Sequence, residues 1–128
     1  MFVRHLAKLV VGLVMAMGLT TTALAHDAAV LDVKVSTNGD GTYTLSTTVF
    51  HKDTGWQHYA DKWDVLTPDG QLIATRVLYH PHVDEQPFTR SLSRVAVPIG
   101  VREVLVRAHC SVDGDGKKSF RVALPPRR

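Results

Sequence analysis

Six histidines follow an apolar leader in this chain, His26, His51, His58, His80, His82 and His109, and they can all be placed near one end of a β-sheet protein. Neutral imidazole is a good ligand for Cu(II), Zn(II) and Ni(II), so their convergence would make a transition-metal site. His26 offers more than a ring if it begins the mature chain, because its α-amine and ring nitrogen can chelate one ion. In His80-Pro81-His82, alternate residues of an extended segment point the same way and the proline stiffens the loop. His26, His80 and His82 are therefore the first candidates for metal ligands, followed by His51 and His109. An amine, its own imidazole and a second histidine across the site make a tetragonal, nitrogen-rich set. That chemistry favours copper, with zinc as the alternative.

The elements that must position these residues are strands. Turn signals recur at Asn38-Gly39-Asp40-Gly41, Pro68-Asp69-Gly70, Pro98-Ile99-Gly100 and Asp113-Gly114-Asp115-Gly116. The segments between them are β-branched and alternating, with no long 3.6-residue period. The expected fold class is all-β, an immunoglobulin-like or fibronectin type III-like β-sandwich of about seven strands, near 28–36, 42–50, 57–66, 71–79, 88–97, 102–110 and 117–124. Alternation puts Leu31, Val33 and Val35 on an inner face, with Tyr43, Leu45, Thr47 and Val49, then Tyr59, Trp63 and Val65, then Val104, Val106 and Ala108.

In an up-and-down sandwich successive connections alternate between the two ends. The first three turns then share the end without histidines. The other end collects the mature N-terminus, the connection His51 to Trp56, the long connection His80 to Pro87 and the connection after His109. By phase His51 continues the inner set of its strand, whereas His109 follows Leu105 and Arg107, so the two share a site only if a bulge re-aims one of them. His58 is expected to be structural, hydrogen-bonded beside Tyr59. Convergence of three or more histidine nitrogens within about 5 Å would favour metal, since direct bonds from zinc to nitrogen are near 2 Å.

Cys110 falls in phase with Val104, Val106 and Ala108 and reads as a small buried hydrophobe, with a thiolate ligand or an intermolecular disulfide as the other options. Asp53, Asp61, Asp84 and Glu85, with Lys52 and Arg90, lie near the same rim. Their default role is to order the loops, and their functional role would be to fix histidine tautomers. Asp113 to Gly116 lacks the ligand pattern of a calcium loop and reads as a tight turn.

Residues 1–25 have the form of a secretory signal: Arg4 and Lys8, the apolar run Leu9 to Leu19, and a small-residue cleavage site at Ala23-Leu24-Ala25. The run is too short for a spanning helix, and His26 rather than cysteine follows it. The expectation is an exported product, periplasmic or secreted, with residues 26–128 as one β-sandwich domain and no lipid anchor indicated. The arrangement resembles exported copper-binding β-sandwich proteins whose mature chains begin with histidine, at His26 and in general architecture.

Arg4 and Lys8 account for two of the 15 Lys and Arg, and the remaining 13 nearly balance 12 Asp and Glu, so the formal charge of +3 does not point to nucleic acid. No nucleophile elbow, phosphate-binding glycine loop or two-cysteine redox motif occurs, which makes catalysis the weaker class of function. The expected partner is a metal ion, with carriage or buffering as the role and an exported protein as a further partner. The alternative is a non-metal module that binds protein or glycan through Trp56, Tyr59, Tyr79, Phe88 and Arg90.

Overall fold

The computed structural model describes residues 27–128, and His26 and the leader lie outside them. Eight strands form: β1 Ala29–Thr37, β2 Tyr43–Phe50, β3 Ala60–Leu66, β4 Leu72–Val77, β5 Phe88–Val95, β6 Glu103–Cys110, β7 Gly114–Asp115 and β8 Phe120–Ala123. One sheet has the order β1-β2-β5. The other runs β4-β3-β6-β7, with β8 also paired to β6, and every pairing is antiparallel. The expected all-β sandwich is what forms. The count exceeds seven because the last strand is broken: β7 pairs with His109 and Cys110, and β8 pairs with Glu103 to Val106.

Alternation accounts for the core between the sheets. Tyr43, Leu45, Thr47 and Val49 of β2, Trp63 and Val65 of β3, and Val104, Val106, Ala108 and Cys110 of β6 are all buried. Each large apolar side chain contributes roughly 1.5–3 kcal/mol on burial. Two expected inward residues depart from the pattern. Leu31 is 51% exposed, because a register shift between Val30 and Asp32 turns the start of β1 by one residue. Tyr59 lies before β3 and is only half-buried, since the regular strand begins at Ala60.

The turns need specific residues. Gly70 and Gly100 have φ of 90° and 91°, and each tight turn closes by a backbone hydrogen bond, Gly70 N–H to the Thr67 carbonyl and Val101 N–H to the Pro98 carbonyl. The Arg127 guanidinium spans the Gly41 and Val97 carbonyls, which fixes two of these turns at one end of the sandwich. Among the described residues no helix is long and apolar enough to cross a membrane.

Candidate metal site

β2 and β6 belong to opposite sheets, and each ends with a side chain that continues its inner face: His51 just after β2, in phase with Val49, and Cys110 at the end of β6. Both are buried, so they extend the core toward the loop end of the sandwich. Two loops complete the arrangement. In the β2–β3 loop, hydrogen bonds between Thr54 N–H and the His58 carbonyl, and between His58 N–H and the Gly55 carbonyl, make a tight reversal that returns His58 toward His51. The two rings meet edge to face with centroids 5.0 Å apart. Tyr59 N–H donates to Ser111 Oγ and Ser111 N–H to the Tyr59 carbonyl, which pins this loop to the β6–β7 turn and sets Asp113 beside His58.

The result is a cluster of His51, His58, Cys110 and Asp113 in which one donor atom from each lies within 4.8 Å of all the others. His58 Nε2 is 3.2 Å from Asp113 Oδ2, and the Cys110 thiol donates to the same oxygen at 3.6 Å. Val112 N–H points at the sulfur from 3.5 Å. Burial pushes the Cys110 thiol up from its ordinary value, so the metal-free sulfur keeps its proton and is a poor nucleophile. A thiol, two imidazoles and a carboxylate are together a donor set that zinc and copper both accept.

Asp53 supports this cluster from behind. Its Oδ1 lies 2.6 Å from His51 Nδ1 and accepts the Ala60 N–H at 2.9 Å, while its Oδ2 accepts the His82 N–H at 2.8 Å. With Nδ1 given to a carboxylate, His51 would bind metal through Nε2, the arrangement in which an outer carboxylate orients a metal-ligating histidine.

The other candidate residues are distributed differently. His26 lies outside the described residues. His80 is exposed and its Nδ1 meets the Pro81 carbonyl at 3.0 Å. His82 is buried, stacked on Phe88 at 4.0 Å and 11°, with the His80 ring 4.6 Å away on a 40° tilt. Among the described residues neither ring nitrogen of His82 has a hydrogen-bond partner, and burial, with Arg90 and His80 adding to it, holds the imidazole below its ordinary value. His109 faces the outer side of its sheet, out of phase with Cys110, and pairs with Asp61 at 2.5 Å. The described histidines thus gather at one end, but among the described candidates, His51, His80, His82 and His109, only His51 enters the four-donor cluster. The converging donors are two histidines with a thiol and a carboxylate, rather than three or more histidines.

His58 and Asp113 were not among the sequence candidates for metal, and Cys110 entered only as a thiolate alternative to a buried hydrophobe. The signal that links Cys110 to His51 was their shared inward phase; His58 and Asp113 depend on loop closure that periodicity does not encode. The acidic residues do meet histidines: Asp53 holds His51 and Asp61 holds His109. Phe88, a proposed partner contact, is buried beneath His82, whereas Trp56 and Tyr79 are 67% and 75% exposed.

A protein of Halomicrobium mukohataei described as "Putative lipoprotein" is 38% identical to this chain over 97 residues, covering 76% of the chain and 47% of the relative. The chain spans about half the length of that curated relative. No protein family's sequence profile matches the chain, and no solved structure does.

Proposed function

We propose that this protein is an exported β-sandwich domain that holds one transition-metal ion through His51, His58, Cys110 and Asp113, in metal carriage or buffering. The observation that supports this best is the meeting of four metal-competent donors from separate segments within 4.8 Å, two of them at the buried ends of strands from opposite sheets. Four protein donors with one thiolate suit a closed tetrahedral ion, so zinc leads and copper is the alternative. A closed site leaves no open position for substrate, which favours holding the ion over chemistry upon it. The apolar leader and the lipoprotein description of the relative support export, periplasmic or secreted. The two sheets, β1-β2-β5 over β4-β3-β6, support an immunoglobulin-like or fibronectin type III-like reading, with residues 26–128 as one domain.

The test is a calorimetric zinc titration of metal-free protein. One equivalent should bind in wild type, and His58→Ala and Asp113→Asn should each weaken it at least tenfold. Equal affinity in both variants would remove those residues from the site.

A second reading has its own observation. Trp56 and Tyr79, with Val83 and Val112, leave large apolar surface exposed at the same end, as a protein- or glycan-binding rim would. A partner that binds equally to wild type and to Cys110→Ser without metal would favour this module.

A further inference from the structure

His51 and His82 are joined twice. Starting from the His51 ring, Nδ1 meets Asp53 Oδ1 at 2.6 Å, and Asp53 Oδ2 accepts the His82 N–H at 2.8 Å. From the other side of the same residue, in the next peptide group, the His82 carbonyl accepts Gln86 Nε2 at 2.9 Å, and Gln86 Oε1 accepts the His51 N–H at 3.0 Å. The circuit closes on itself: the ring and the backbone of His51 are each tied, through one intermediate side chain, to the backbone of His82. The Asp53 side chain is fully enclosed, where a hydrogen bond is stronger and its loss more costly than in water.

We infer that this circuit couples occupancy of the metal site to the conformation of the β4–β5 loop, residues 78–87, with Asp53 and Gln86 as positioning residues. The inference rests on the metal reading above. A metal bond at His51 Nε2 fixes the ring and draws electron density from it, which makes Nδ1–H a stronger donor to Asp53. The carboxylate is then held in the orientation that receives the His82 N–H. The loop is sensitive to that anchor because the His82 ring holds it by stacking alone: it lies flat on Phe88, whose ring also lies 5.6 Å below the Arg90 guanidinium. The outer residues of the loop, Tyr79, His80, Val83, Asp84 and Glu85, are exposed, so the surface offered to a partner follows the state of the ion.

Coupling between two sites is reciprocal. If zinc steadies the loop, a loosened loop must bind zinc less tightly, even though Gln86 is not among the four donors. The experiment follows the exchange of the His82 amide by NMR in the full mature chain, metal-free and with Zn(II), and measures zinc affinity in wild type, Gln86→Ala and Gln86→Glu. Gln86→Glu keeps the acceptor for His51 N–H and removes the donor to the His82 carbonyl, so it breaks the circuit at one point if the alanine variant folds poorly. We expect zinc to slow His82 exchange by about fivefold or more, and the Gln86 variants to lose zinc affinity by a similar factor, at the lower end of ordinary couplings. Zinc binding to wild type with His82 exchange unchanged, or with affinity unchanged in both variants, overturns the coupling and leaves the metal reading standing. Absence of zinc binding to wild type overturns both.

Discussion

Nδ1 of His51 and Oδ1 of Asp53 lie 2.6 Å apart, with both side chains completely enclosed. Asp53 also receives the backbone N–H groups of Ala60 and His82, so three donors from three segments depend on one carboxylate. An unsatisfied buried donor costs about 1–3 kcal/mol. Asp53→Ala should therefore lower the stability of the metal-free protein by about 3 kcal/mol or more in urea denaturation, and Asp53→Asn by less. A loss under about 1 kcal/mol for the alanine variant would mean that the three donors find other partners.

Gly116 sits between the Ala28 backbone and the end of β6. Its N–H donates to the Ala108 carbonyl at 2.8 Å, and a β-carbon added there would press into the Ala28 carbonyl and lie 3.3 Å from the Ala108 carbonyl oxygen. Both obstacles are backbone atoms that cannot swing aside. Gly116→Ala should cost about 1–3 kcal/mol, in the range of other overpacking changes, and thermal denaturation against wild type measures it.

His82 should make the fold sensitive to acid. Burial holds its imidazole below the ordinary value, so the unfolded chain takes up the proton more readily than the native one. Its contribution to stability is therefore complete above the ordinary histidine range and is lost as pH falls through about 6.5 toward the lowered native value. His82→Phe keeps a ring stacked on Phe88 without the two unpartnered nitrogens. It should be at least as stable as wild type and should lose less stability between neutral and mildly acidic pH, by up to about 1.4 kcal/mol per pH unit. Parallel pH profiles for the two proteins would contradict this.

The fold was legible in the sequence because period-2 alternation and glycine turns are local signals. They placed the cores of β2, β3 and β6 and located the histidine-rich end. The strand-start bulge at Val30/Asp32, which exposes Leu31, depends on cross-strand register and has no local signature. At the site, phase was the useful signal: His51 and Cys110 both continue inward sets, while His109 continues an outward one. Residue type favours His109 over Cys110 as a ligand, whereas phase favours Cys110. His58 and Asp113 meet through hydrogen bonds between Tyr59 and Ser111, residues 52 positions apart, a contact that follows only from the assembled sandwich.

On the proposed function, a sulfur, two imidazole nitrogens and a carboxylate oxygen of this chain bind one ion together. X-ray absorption at the zinc edge of the Zn(II)-loaded protein tests it most directly. The expected shell has one sulfur at about 2.3 Å and three nitrogen or oxygen neighbours at about 2.0–2.2 Å, the sulfur disappearing in Cys110→Ser. A wild-type spectrum with nitrogen and oxygen alone, or one that Cys110→Ser leaves unchanged, would contradict it.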